Sequence, residues 1–145
     1  MVLATAMLLA ACASEPEAVA PPTVASLAED PESYDDKQVT LDAAYYGAAE
    51  MSVLTSGFAE SFPPRPVEPL IWVAAAPPDD CLQQSEGVAW ADRVEASGTF
   101  RYDPEGGLGH LGRYEMAIDD ADLVCVRSAL VSSVASWPTS RLIRL

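Results

Sequence analysis

The chain has 145 residues, half of them hydrophobic, which suits a single domain with a buried core. Its formal net charge is −14, from 22 acidic residues against 8 lysines and arginines. Phosphate binding needs clustered cations, whereas here they are scattered singly through most of the chain. We therefore expect no nucleic-acid partner and no electrostatic attachment to anionic lipid.

The chain opens with an uncharged apolar run that ends in Leu9-Ala-Ala-Cys12. The run is too short to span a bilayer, which takes about 20 apolar residues, and it has the length of a signal-peptide core. Its ending resembles the lipobox of bacterial lipoproteins. That resemblance implies that residues 1–11 are a signal peptide and that Cys12 carries a lipid that anchors the protein in the membrane. Because no Lys or Arg precedes Lys37, we expect the true start to lie upstream.

Residues 12–24 are small, polar and proline-containing, without an apolar period. Such a segment cannot bury enough surface to fold, so it is interpreted as a flexible tether. The residue after Cys12 is Ala13 rather than Asp. By resemblance to Gram-negative lipoproteins, this favours an outer-membrane location in the cell envelope, facing the periplasm.

Two cysteines remain if Cys12 takes the lipid, namely Cys81 and Cys125. In an exported protein this even pair predicts a disulfide, with two buried thiols as the alternative. We expect no metal site, because the chain has no Cys-x-x-Cys motif and its one histidine is His110.

The first half of the domain predicts one helix and two strands. Ser26 and Glu29 match a capping box, which predicts a short helix that is interrupted near Pro31. Residues 38–46 alternate between apolar and polar side chains, as in a half-buried strand. Residues 51–55 predict a second strand.

The second half predicts further strands separated by loops. Four prolines in residues 57–69 exclude a central strand, and residues 70–74 are interpreted as a buried strand. Residues 81–91 are ambiguous and could hold a short helix. Residues 93–102 predict a strand with a bulge or close packing at Gly98. The last apolar groups, 114–118 and 123–126, form either two strands or one strand across a bulge; residues 128–145 predict a weakly ordered tail.

Five or so strands with few helices favour a small β-barrel or sandwich. The segment 26–42 resembles the opening of OB-fold-like exported bacterial proteins, through Leu27, Pro31, Tyr34, Lys37, Val39 and Leu41. Asp36 and Ala43 depart from that pattern, where glycines are usual. The segments 94–100 and 109–114 resemble the later strands of similar lipoproteins. The resemblance implies a mainly β, OB-like five-stranded barrel over residues 25–127, and it implies no activity.

In OB folds, the loops between the first two and the last two strands flank the ligand face. By that resemblance, the ligand loops lie near residues 45–47 and 103–113. The candidate residues there are Tyr45, Tyr46, Gly109, His110 and Tyr114. The leading hypothesis is a lipid-anchored, non-catalytic binding or structural module that contacts an envelope protein or a small ligand and needs no cofactor.

Three other interpretations carry less weight. The first is an envelope hydrolase or metal-dependent enzyme in which His110 acts with Asp103, Glu105 or Glu115. The second is a calcium site formed by Asp119, Asp120 and Asp122, although the spacing of these aspartates matches no known loop. The third is a phosphate cradle at residues 106–109, which lacks the lysine and the strand-to-helix context of a P-loop.

Overall fold

The structure is a computed structural model, and it describes residues 20–126. The predicted signal peptide, Cys12, most of the tether and the tail 128–145 lie outside the described residues. The elements in chain order are α1 (Val24–Glu29), a 3-10 turn (Pro31–Ser33), β1 (Gln38–Ala48), β2 (Met51–Thr55), β3 (Phe58–Ala59), β4 (Arg65–Pro66), β5 (Ile71–Val73), a 3-10 turn (Asp79–Cys81), β6 (Gln83–Ser85), β7 (Val88–Tyr102), a 3-10 turn (His110–Gly112) and β8 (Met116–Cys125).

Five of these strands close into a barrel, as predicted. The sheet order is β1-β2-β5-β8-β7, and β7 pairs back onto β1 to complete the ring. The neighbours are antiparallel except β5 and β8, which run parallel at Trp72↔Ala117. This Greek-key closure by five strands is OB-like. Two small additions lie outside the ring: the ribbon β3–β4, and β6, which extends the sheet beside β7.

Alternation along the strands builds the barrel core. In β1, Val39 and Leu41 are buried while Gln38, Thr40 and Asp42 are exposed, so the predicted pattern of a half-buried strand is confirmed. The interior is filled by branched aliphatic side chains and one phenylalanine, including Leu54, Ile71, Val73, Val94, Phe100 and Ile118.

The helix α1 closes one end of the barrel. Its Val24 and Leu27 are three residues apart, lie on one face and are buried in the barrel core. Clefts beside α1 are lined by Ser56, just after β2, and by Pro69, just before β5. The helix therefore lies at the end of the barrel where β2 ends and β5 begins.

The N-cap of α1 is Thr23, so the prediction of Ser26 as the cap is wrong. Thr23 Oγ1 accepts from the Ser26 N–H at 3.1 Å, and Ser26 Oγ accepts from the Thr23 N–H at 2.8 Å. Ser26 thus occupies the third helical position of the capping box, where Glu or Gln is more usual. Starting the helix at Val24 lets this residue enter the core, and that burial selects the earlier cap.

Residues 114–126 were predicted as either two strands or one bulged strand, and the structure has the one strand β8. The register between β7 and β8 shifts between Ser97 and Thr99, which confirms the irregularity expected at Gly98. A Cβ at Gly98 would lie 2.5 Å from Ile118 Cγ2 and 2.6 Å from the Asp119 carbonyl oxygen. Only glycine allows β7 and β8 to approach this closely.

Residues 81–91 form a hairpin rather than the short helix that was considered. Ser85 pairs with Val88 across a two-residue turn at Glu86 and Gly87, both of which have positive φ. This is the geometry of a type I′ turn, whose twist suits adjacent antiparallel strands. Just before β6, Cys81 forms the predicted disulfide with Cys125, with Cα atoms 5.7 Å apart.

Candidate functional site

The candidate residues Tyr45 and Tyr46 are neighbours on β1 and face opposite sides of the sheet. Tyr45 is 4 % exposed and belongs to the barrel core. Tyr46 is half-buried on the outer face, where its ring lies 6.5 Å from that of Phe58. Because successive side chains of a strand alternate, the two tyrosines belong to two separate sites.

The outer face beside Tyr46 is covered by the chain itself. Tyr46 is opposite Val53 and Trp90 on the adjacent strands, and Val53 is opposite Trp72. The segment 57–69 contributes Phe62, whose ring meets Trp90 edge-on at 6.3 Å. Val53 and Trp90 are buried in this arrangement, while Phe62 itself is 78 % exposed.

The glycine-rich loop covers the other side of the same face. A Cβ at Gly109 would lie 2.5 Å from the Trp72 ring, so the loop backbone sits directly on the indole. Gly109 also has φ of +69°, which favours glycine. Gly109 therefore has a packing role against Trp72.

His110 lies on the outside of this loop. Its side chain is exposed, and within residues 20–126 it forms no hydrogen bond or ion pair with a carboxylate. Asp103, one of its predicted partners, instead accepts a hydrogen bond from the Glu105 N–H at 3.0 Å and so shapes the loop. The geometry gives no support to a His110-based hydrolase.

Tyr114 lies where the loop enters β8, beside Glu68 and Pro69. Its N–H and carbonyl both pair with Leu108. Partial burial raises the pKa of the Tyr114 phenol, Arg113 lowers it and Glu68 raises it further. The phenol therefore stays neutral at physiological pH and acts as a packing group.

An open cleft lies at the end of the barrel opposite α1, between the β1–β2 and β6–β7 hairpins. We call it the barrel mouth. Its volume is about 660 Å³, against about 370 and 470 Å³ for the two clefts beside α1. Small-molecule sites in proteins span about 300–1,000 Å³. The lining residues are Tyr45, Gly47, Ala48, Ala49, Met51, Ser52, Ala76, Leu82, Gln84, Ser85, Glu86, Gly87, Val88 and Ala89.

The floor of the barrel mouth is a row of four residues across four strands, with its smallest side chains at the centre. Gly47 on β1 is opposite Ser52 on β2 and Ala89 on β7, and Ala89 is opposite Gln84 on β6. Directly opposite residues in a sheet share a face, so these four groups form one surface. The row leaves space because its two central members are glycine and alanine.

Two hydroxyls stand at the deep end of this floor. The Tyr45 and Ser52 hydroxyls are 3.1 Å apart, and Ser52 Oγ donates to the Ala75 carbonyl at 3.2 Å. A Cβ at Gly47 would lie 2.7 Å from the Tyr45 hydroxyl, so Gly47 allows the Tyr45 side chain to lie along β1. The mouth therefore offers space above Gly47 and Ala89 and a hydroxyl pair that can exchange hydrogen bonds with a ligand.

The disulfide borders the mouth. Cys81 directly precedes Leu82 of the lining, and Cys125 ends β8. Within residues 20–126, the only group of three His, Cys, Asp or Glu side chains close enough to share an ion is Asp80, Cys81 and Cys125. Because the two sulfurs are bonded to each other, this group keeps only one carboxylate ligand. The aspartates proposed for calcium do not converge in this part of the chain.

Sequence reasoning identified residues 45–47 as part of a ligand loop, whereas the structure places them within β1, and it missed the rest of the mouth. Ala48, Ala49 and Ala89 carry no chemical signal of their own, and their meaning depends on the cross-strand register. The one available signal was the concentration of Ala and Gly at the ends of β1 and β7.

Comparison with protein-family models, curated proteins and solved structures finds no match to this chain. Between residues 20 and 126, no helix has the length and apolar character needed to cross a bilayer.

Proposed function

We propose that this protein is a lipid-anchored binding module of the cell envelope, held in the outer membrane through Cys12, with the barrel mouth as its ligand site. It contacts an envelope protein or a small ligand from the periplasmic side and has no catalytic role. The observation that carries the proposal is the mouth itself: an open cleft of about 660 Å³ at one end of a barrel whose other end is plugged.

The covered outer face supports this placement of the site. The outer face carries aromatic side chains that could stack on a ligand, but each already has a contact within the chain. Tyr46 contacts Phe58, Trp90 contacts Phe62, and Trp72 contacts the backbone at Gly109. Binding there would require the chain to release these contacts. Among residues 20–126 the mouth is open without any rearrangement, so it is the less costly place for a ligand.

The position of the tether also supports the proposal. Ten residues separate Cys12 from the helix cap at Thr23, and a chain of that length reaches about 35 Å when fully extended. The tether joins the barrel at α1, so the plugged end is the one connected to the membrane. A ligand can then reach the mouth from the side away from the anchor.

The experiment is an affinity purification of the lipidated protein from detergent-solubilised membranes, followed by mass spectrometry for proteins and small molecules. Four forms are compared: the unchanged chain, Cys12→Ala, Ala89→Leu and Thr40→Leu. Ala89→Leu fills the floor of the mouth. Thr40→Leu places the same side chain on the exposed outer side of β1 and serves as the matched control.

We expect a stoichiometric component that is retained by Thr40→Leu and lost by Ala89→Leu. Cys12→Ala should move the protein out of the membrane fraction and abolish incorporation of labelled palmitate. A component that survives Ala89→Leu would place the ligand site elsewhere. If no component accompanies any form, the binding role is wrong and a purely structural role replaces it.

A further inference from the structure

The strand β6, which borders the barrel mouth, has a free edge. β6 pairs only with β7 and is the last strand of its sheet. Ser85 and Val88 close the two-residue turn and form a hydrogen-bonded pair, so the next pair, Gln84 and Ala89, is a non-hydrogen-bonded one. The N–H and C=O of Gln84 therefore point away from β7. Within residues 20–126, no backbone hydrogen bond from another segment meets them.

The same residue joins the free edge to the floor of the mouth. The Gln84 side chain ends the row that continues through Ala89, Gly47 and Ser52. A chain lying along the free edge of β6 would place alternate side chains beside the Gln84 side chain, at the border of the mouth. The neighbouring floor at Ala89 and Gly47 carries no bulky or charged side chain.

Within the part of the chain that the structure describes, the charges at the mouth have one sign. Each of the two hairpins carries a glutamate at its turn, Glu50 between β1 and β2 and Glu86 between β6 and β7, and both are exposed. Among the described residues, the lining holds no lysine or arginine. Two of the arginines elsewhere, Arg93 and Arg101, pair with Asp42 and Asp36 on the outer surface. The mouth therefore attracts cationic groups and repels anionic ones.

From these observations we infer that an extended basic peptide segment binds at the border of the barrel mouth, as an added strand on the edge of β6. Its backbone pairs with the N–H and C=O of Gln84, alternate side chains lie beside the Gln84 side chain, and its lysine or arginine lies near Glu86. Strand addition of this kind takes affinity from main-chain hydrogen bonds and specificity from the side-chain pockets. This inference rests on the proposed function, because it names the partner of the same site.

The test uses the lipidated protein in neutral detergent and a fluorescein-labelled peptide, Ala-Lys-Ala-Val-Ala-Lys with an amidated C-terminus. Binding is measured by fluorescence anisotropy, with protein-free micelles as the blank. Two companion peptides carry the matched changes. In one, both lysines are replaced by glutamate; in the other, alternate backbone nitrogens are methylated on the edge that would pair with β6.

We expect the basic peptide to bind and both companions to bind at least about fivefold more weakly, since N-methylation removes the main-chain hydrogen bond to the Gln84 carbonyl and like charges repel. In the protein, Gln84→Pro removes one edge N–H and should weaken binding about fivefold, the effect of a single hydrogen bond. Proline is tolerated on an edge strand, and circular dichroism checks the fold.

Glu86→Gln should weaken binding about two- to fivefold. Glu95→Gln, on the exposed side of β7, is its matched control and should change nothing.

Each contrary result overturns one stated part of the inference. Equal binding of the N-methylated peptide overturns strand addition, and equal binding of the glutamate peptide overturns the choice of a basic partner. Failure of all peptides, together with a co-purifying component that depends on Ala89, overturns this inference and leaves the proposed function standing. Failure of the peptides with no such component overturns both.

Discussion

The two ends of the barrel are closed by different physical means. At one end, α1 buries Val24 and Leu27 in the core, and apolar burial holds the structure together. At the other end no helix of residues 20–126 covers the strands, and the chain there is held by the Cys81–Cys125 disulfide and by the hydrogen bonds of Ser52. A covalent link can hold an end together without filling it. The contrast shows how a small barrel can stay folded while one end remains open to a ligand.

The disulfide gives the largest expected effect. The double variant Cys81→Ser/Cys125→Ser releases a loop with a sequence separation of 44, which the chain-entropy model values at about 4 kcal/mol of unfolding free energy. The loss should be measured by chemical denaturation. Hydrogen exchange should show lost protection in β6 and retained protection at α1. Equal loss at both ends would contradict the division of roles between them.

Truncation of a buried side chain of α1, the helix that plugs its end of the barrel, should have the next largest effect on the unfolding free energy. Leu27 is fully buried, and Leu27→Ala should lower the unfolding free energy by about 3 kcal/mol through lost burial and the cavity left behind. Met51→Ala is the matched truncation at the mouth, where the side chain is half-exposed, and it should cost less than about 1 kcal/mol. Similar costs for the two variants would show that the mouth is as tightly packed as the plug.

The helix cap should have a smaller effect on the same end. Thr23→Ala removes the Oγ1 that accepts from the Ser26 N–H, and a lost N-cap costs about 1 kcal/mol. The thermal midpoint should fall, while peptide binding at the mouth should not change. A parallel loss of binding would mean that the two ends are coupled through the barrel.

At the mouth, the deep hydroxyl pair is expected to matter little for folding. Tyr45→Phe removes the hydrogen bond to Ser52 but keeps the ring that fills the barrel, so the cost should be about 0.5–1 kcal/mol. Denaturation measures this cost, and peptide titration of the same variant measures the contribution of the hydroxyl to binding. A loss of several kcal/mol of unfolding free energy would assign the Tyr45 hydroxyl a structural role instead.

The smallest expected effect is a pH dependence of the unfolding free energy. It comes from Tyr114, which lies at neither end of the barrel. Burial raises the pKa of Tyr114 above 10.0 in the folded state. The unfolded chain therefore releases this proton first, so the stabilisation is complete below about pH 10 and is lost as the pH rises through the folded-state pKa. The loss of unfolding free energy at alkaline pH should be smaller in Tyr114→Phe, and an unchanged pH profile would contradict the assignment.

Much of the fold could be predicted from local patterns. The alternation in β1 and the close contact at Gly98 follow from residue types that act within one strand or one turn. The barrel order also agrees with the resemblance of residues 26–42 to OB-like proteins. The helix cap was misplaced because Thr23 and Ser26 can both cap, and the burial of Val24 decides between them.

The site was harder to predict, since it depends on tertiary packing. Tyr45 and Tyr46 could be recognised as candidates, but their separation to opposite faces depends on the register of β1. The loop at Gly109 was expected to flank a ligand, whereas it packs on Trp72. The mouth exists because the side chains of Gly47 and Ala89 are small. Such residues reveal a cleft only when their neighbours on the adjacent strands are known.

The most direct test of the account is photo-cross-linking of the lipidated protein in intact cells. A benzophenone amino acid is placed at Ala49 in the mouth, at Ala28 beside the plug, or at Thr40 on the outer surface. All three positions avoid fully buried sites. The account predicts a single strong adduct from Ala49 and none from Ala28 or Thr40. An adduct of equal yield from Ala28, or from Thr40 in place of Ala49, would contradict the claim that the open end of the barrel is the binding site.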